Sequence, residues 1–196
     1  MKILYTLALV LTTSCFFACN DSNSKTPITD TSQSLSLAQN DPIKRGEYLV
    51  KIMGCNDCHS AKRMGPQGPE VIPETMLAGY PMDRPIVKFD SKLIKEGFSQ
   101  FYPDLTAAAG PWGISFASNL TPHETGLGNW TEDQFKIAIK NGKYKGMTNS
   151  RMLLPPMPWT TYAEMEDADI KSIFAYLKSL KPVKNIVPQP ITPDKM

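Results

Sequence analysis

Several things are scarce in this chain of 196 residues, and each scarcity closes off a class of protein. A marked excess of charge of one sign is absent: Lys and Arg number 21 against 19 Asp and Glu, a net charge of +2, so nothing calls for nucleic acid or an acidic polymer as partner. No apolar run reaches the roughly 20 residues that a membrane-spanning helix needs, and no internal repeat points to a solenoid. Cysteine and histidine are sparse, 4 and 2 respectively, so a four-ligand zinc site lacks its second cysteine pair. With 41% hydrophobic and 20% charged residues, the chain fits neither disorder nor a coiled coil. Its length holds one domain of ordinary size plus appendages. Proline is what the chain has in excess: 17 of them argue for long loops and against a regular bundle or an extended sheet.

The first segment reads as an address. Lys2 supplies a positive start, and residues 3–18 form an apolar stretch too short to span a bilayer. It ends in Phe16-Phe17-Ala18-Cys19, which resembles a lipoprotein signal, a small residue followed by the cysteine that receives lipid. The expectation is a signal peptide over 1–18, lipid on Cys19 and a flexible polar tether over 19–41, rich in Ser, Thr, Asn, Asp and Gln. That makes an exported, membrane-anchored protein facing the periplasm or the cell surface. Simple secretion, with Cys15 and Cys19 as passengers, is the alternative.

With Cys15 in the signal and Cys19 lipidated, Cys55 and Cys58 are the cysteines left to the folded part, and His59 follows at once. Cys55-Asn56-Asp57-Cys58-His59 is the C-x-x-C-H pattern of covalent haem attachment, which chance would give in roughly one such sequence per thousand. Two thiols three positions apart on one turn can each form a thioether with a haem vinyl group, and the adjacent imidazole is held over the iron. A thioredoxin-like pair would need a preceding strand in a βαβ unit, and none precedes Cys55. A zinc site could add only His123.

Iron held by His59 has a sixth position. Met53 and Met64 flank the motif and would have to double back; Met76 and Met82 lie in a proline-rich stretch; Met147 and Met152 precede Pro155. Met157 stands in Leu154-Pro155-Pro156-Met157-Pro158-Trp159, where three prolines stiffen the loop that presents its sulfur. A core methionine is the other reading of Met157.

Together these residues resemble monohaem class I cytochromes c, most closely the exported cytochromes that accompany bacterial dehydrogenases. The likeness runs from about Arg45 to Val187. It rests on Arg45-Gly46-Glu47-Tyr48-Leu49-Val50, Leu77-Ala78-Gly79, Ser118-Asn119-Leu120-Thr121-Pro122, Thr125-Gly126-Leu127-Gly128-Asn129-Trp130-Thr131, Pro155-Pro156-Met157-Pro158-Trp159 and Ile173-Phe174-Ala175-Tyr176-Leu177. The resemblance implies one covalent haem c on Cys55 and Cys58, axial iron ligands His59 and Met157, and a redox protein partner, a dehydrogenase or a terminal oxidase. It implies an electron carrier rather than an enzyme, cycling between ferric and ferrous iron. The alternative is a haem enzyme or ligand sensor with an open sixth position.

The expected fold is all-α, a class I cytochrome c domain over 42–182 with a long proline-rich loop insertion at about 62–117 and a proline-rich tail over 183–196. Asp41 and Pro42 make a helix start, with Ile43, Leu49, Val50 and Met53 on a mostly apolar face. Gly46 lets a second helix approach closely, as the resemblance implies for the first and last helices. Thr131 and Gln134 form a capping box for a short helix that Gly142 can close. Ile170, Ile173, Phe174, Leu177 and Leu180 recur at helical spacing ahead of Pro182. Lys140, Lys143, Lys145 and Arg151, with Lys62 and Arg63, would steer an acidic redox partner if they ringed an exposed haem edge.

Overall fold

The computed structural model describes residues 41–86 and 88–196. The signal peptide, the lipidation site Cys19 and all but the end of the tether lie outside the described residues.

Helix α1 (Pro42–Ile52) starts as its residues dictate: the Asp41 carboxylate accepts from the Ile43 and Lys44 N–H groups at 3.0 and 3.3 Å, and Pro42 needs no partner for a missing N–H. Its buried face is Gly46, Leu49 and Val50. Helix α6 (Asp167–Ser179) buries Ile170, Ser172, Ile173, Phe174 and Leu177 against that face. The two cross where a Cβ on Gly46 would sit 1.9 Å from the Ser172 carbonyl oxygen, so only glycine permits the approach. Beside the crossing, Arg45 makes a two-pronged pair with Asp169, both contacts 2.9 Å. Leu77, Leu127 and Phe135 complete this core, each buried side chain worth about 1.5–3 kcal/mol.

Between these helices come α2 (Cys55–His59), α3 (Ser91–Lys95), α4 (Glu132–Asn141) and α5 (Trp159–Tyr162). In α4 the capping box is complete: Gln134 N–H donates to Thr131 Oγ1 and Thr131 N–H to Gln134 Oε1, at 3.2 and 2.9 Å. Gly142 closes that helix in the left-handed region, φ +62°.

The all-α expectation is overturned by the segment at 62–117. It carries a hairpin, β1 (Lys62–Gly65) against β2 (Gly68–Val71), and an antiparallel sheet in the order β3 (Gln100–Phe101), β4 (Ala107–Gly110), β5 (Gly113–Phe116). What read as a loop is thus two small sheets with the short helix α3 between them, alongside helices consistent with a cytochrome c fold. Arg84 fastens the segment internally: it donates to Asp104 at 2.7 Å and Thr106 at 3.0 Å while its guanidinium lies over the Tyr80 and Tyr102 rings.

Residues 183–196 return across the same sheet. Ile114 and Ile191 exchange backbone hydrogen bonds of 2.8 and 3.0 Å. Buried Asn185 donates to the Ala78 and Tyr80 carbonyls at 2.6 and 2.9 Å and accepts from Met82 N–H at 2.8 Å.

Candidate haem site

His59 ends the short helix α2, and its Nδ1 lies 2.8 Å from the Ser118 carbonyl oxygen. A carbonyl can only accept, so Nδ1 carries the proton and Nε2 keeps the lone pair that a metal needs. Burial lowers the imidazole pKa below its ordinary value, against the opposing effect of the Ser118 bond, which keeps the ring neutral at pH 7. The backbone behind the ring is fixed too. Gly79 N–H donates to the His59 carbonyl at 2.7 Å, and a Cβ on Gly79 would lie 2.3 Å from the Ala117 carbonyl oxygen. Two sequence motifs far apart in the chain, at 77–79 and 118–121, therefore meet around one histidine.

Cys55 and Cys58 are free thiols on the same helix. Burial pushes the Cys55 thiol up to about 11 and raises Cys58 as well. A reactive dithiol pair needs the reverse, a depressed pKa, so the environment argues against thioredoxin-like chemistry. Among the described residues no His, Cys, Asp and Glu side chains converge as a metal-binding group of three or more.

Lys62, one of the basic residues that the sequence offered for steering an acidic partner, is instead committed to this helix. Its Nζ reaches the carbonyls of Asn56 at 3.4 Å, Asp57 at 2.6 Å, Ser60 at 3.2 Å and, from the sheet segment, Asp104 at 2.8 Å. A cation there suits the negative end of the helix. Of the other basic residues, Lys140 is held by Asp167 and the Met165 carbonyl, at 3.2 and 3.0 Å.

Cys55, Cys58, His59 and Met157 line one cavity of about 520 Å³, within the range of about 300–1,000 Å³ common for cofactor sites. Its walls are largely apolar, Leu120, Leu127, Phe135, Ile139, Ile173 and Leu177 among them, with exposed Lys145 and Arg151 adding two cations. Met53 and Met165 also line it, but both pack against the hydrophobic core, whereas Met157 does not belong to that cluster. Met64, Met82, Met147 and Met152 are exposed and lie elsewhere. His123 is likewise outside the cavity, its Nδ1 accepting from the Thr125 N–H at 3.1 Å in a loop.

Ala107, Ala108 and Phe116 from the sheet, and Ile186, Val187 and Pro188 from the tail, form further wall. Sequence reasoning missed these, since neither segment shows the periodicity that marks a core face. Met165 and Tyr162 were missed as well; the Tyr162 hydroxyl donates to the Met53 carbonyl at 3.2 Å.

A family model described as Cytochrome c matches residues 43–181. The gluconate 2-dehydrogenase cytochrome c subunit of Pantoea cypripedii is 29% identical over 171 residues, 87% of this chain and 27% of that protein. The fructose dehydrogenase cytochrome subunit of Gluconobacter japonicus is 29% identical over 143 residues, 72% of this chain and 22% of its own length. The cytochrome c subunit of the quinone alcohol dehydrogenase of Gluconobacter oxydans is 27% identical over 143 residues, again 72% of this chain and 22% of its own length. The chain thus spans 22–27% of the length of these curated relatives.

Proposed function

The chain belongs to the cytochrome c family, and from that premise we propose that it is an electron carrier with one haem c, joined covalently to Cys55 and Cys58 and ligated axially by His59 and Met157. The observation that carries the reading is the apolar cavity shared by those four side chains, with His59 neutral and its Nε2 lone pair unspent. Bound there, the iron would supply one-electron chemistry between its ferric and ferrous states. The chain's own residues do the rest. Cys55 and Cys58 fix the group on a helix whose carbonyl end Lys62 secures, Ser118 sets the tautomer of His59, and the apolar walls keep water away. Met157, holding that iron through its thioether, would favour the electron-rich ferrous form and raise the potential. The cations of Lys145 and Arg151 suit the carboxylates that haem carries.

The partner in this reading is a redox protein, a dehydrogenase as donor or a terminal oxidase as acceptor; the names of the curated relatives support the first. The carrier itself is held at a membrane facing the periplasm or cell surface through lipid on Cys19, a reading supported by the Phe16-Phe17-Ala18-Cys19 pattern.

The test is on the holoprotein. Wild type should keep haem through a denaturing gel, and the Cys55→Ala, Cys58→Ala double variant should not. Met157→Ala should remove the weak sulfur-to-iron charge-transfer absorption of the ferric form, admit carbon monoxide to the ferrous form and lower the potential. Met165→Leu, Met147→Leu and Met152→Leu should retain the band; its loss in one of them and survival in Met157→Ala would reassign the ligand.

A further inference from the structure

We propose that the sheet segment at 62–117 braces the loop bearing Met157, and that Ser115 is the positioning residue through which it acts. This rests on the reading of Met157 as axial ligand. The loop at 154–158 is poor in ways to hold itself. Pro155, Pro156 and Pro158 have no N–H to donate, and all three are exposed, so packing adds little. The Met157 N–H is used within the loop, donating to the Leu154 carbonyl at 3.3 Å. The loop is fastened at its entry, where Leu153 N–H donates to the Gly142 carbonyl, and at its exit, where Trp159 N–H donates to the Met157 carbonyl, at 2.6 and 2.9 Å. Between those points, one hydrogen bond reaches it from a distant element among the described residues: Ser115 Oγ donates to the Pro155 carbonyl at 2.6 Å.

The other end of that bond is well fixed. Ser115 lies on β5, which pairs with β4 on one side and exchanges hydrogen bonds with Ile191 of the returning tail. A Cβ on neighbouring Gly113 would lie 2.0 Å from the Ile191 carbonyl oxygen, so strand and tail are in close contact. The indole Nε1 of Trp112 donates to Ser115 Oγ at 3.3 Å, occupying a lone pair. The hydroxyl proton then has two carbonyls in reach, Pro155 at 2.6 Å and Ala108 at 3.3 Å, and the shorter contact takes it. A polar chain runs from Trp112 through Ser115 to Pro155, two residues before the sulfur. A neutral thioether is a weak iron ligand, so loop freedom competes directly with its binding. Losing one such hydrogen bond should reduce the ordered population of the loop about fivefold.

Ser115→Thr keeps the hydroxyl and Ser115→Val is its near-isostere without one. Imidazole is titrated into the ferric holoprotein and displacement of the charge-transfer band is followed. Ser115→Val should bind imidazole about fivefold more tightly than wild type, and Ser115→Thr within about twofold of it. A role confined to general stability would lower the thermal midpoint of Ser115→Val and leave imidazole affinity unchanged, which overturns the proposal, as would equal tightening in both variants. Should Ser115→Val not accumulate as holoprotein, Ser115→Ala is compared with Ser115→Thr on the same criterion. Met157→Ala separates the two layers: if it keeps the band, the ligand assignment falls and the brace with it; if it loses the band while Ser115→Val and Ser115→Thr bind imidazole alike, the brace alone falls.

Discussion

Asp104 is 5% exposed, and an ionised carboxylate at that depth needs compensation. Burial alone would raise its pKa; hydrogen bonds from Arg84 and Thr106 outweigh that and hold the carboxyl below its usual value. With the native pKa depressed, the unfolded chain binds the proton more readily. The pair's stabilisation is therefore complete above the usual carboxylate range and is lost as pH falls through the native value. Asp104→Asn should cost about 3 kcal/mol at neutral pH, because Arg84 is left half-paired between two rings. Measured by urea unfolding of the holoprotein, the gap to wild type should hold steady from pH 7 to about 5 and narrow below about pH 4. A gap that stays the same across that range would mean packing, not charge, is what Asn removes. None of this was legible beforehand, since Arg84 and Asp104 are 20 residues apart with no periodic relation. The cysteine and histidine spacing of the haem motif, by contrast, is local chemistry and can be read without a fold. Asn119 lies between these cases. Asn119-Leu120-Thr121 has the residue pattern of a glycosylation sequon, but the Asn119 side chain is buried and its amide donates to Thr125 Oγ1 and the Val183 carbonyl at 3.1 and 2.9 Å.

The longer helices announced themselves, whereas the strands and the short helices α3 and α5 did not, for physical reasons that differ by element. The starts of α1 and α4 depend on side chains within three residues of the cap, so Asp41-Pro42 and Thr131 with Gln134 sufficed. The strands are two to four residues long, too short to display a period of two. Moreover β4 is Ala107-Ala108-Ala109-Gly110, a composition that disfavours strand. Tertiary context overrides it: all four residues are buried, and the small side chains of Ala107 and Ala108 leave space for the cavity they line. The same contest between propensity and packing makes Gly46 a sharp test. Alanine in a helix interior gains about 1 kcal/mol over glycine, yet here its Cβ would meet the Ser172 carbonyl oxygen at 1.9 Å and the Tyr176 Cβ at 2.8 Å. Overpacking should win, so Gly46→Ala should destabilise the holoprotein by about 3 kcal/mol or more, read from its denaturant midpoint. A neutral or stabilising result would mean the two helices can part without loss.

At the scale of the whole molecule, the proposed carrier has to meet its partner, and where the domain is kept bears on that encounter. Among the described residues no helix is long and apolar enough to cross a membrane. The proposed attachment starts at Cys19, after a short apolar stretch and before a run of polar residues. Lipid at that position would keep the cavity near the lipid surface and replace a search through bulk volume by one at higher effective concentration. One acyl chain alone gives marginal binding, so firm retention requires the several chains of a lipidated N-terminal cysteine. Wild type expressed with radiolabelled palmitate should carry label and sediment with membranes. Cys19→Ala should carry none and stay in the supernatant, yet retain covalent haem and the charge-transfer band, because among the described residues the cavity is lined by residues from 53 to 190. Unlabelled wild type in the soluble fraction would remove the tether and leave a secreted carrier. Loss of the band in Cys19→Ala would instead tie the N-terminal segment to the haem pocket itself.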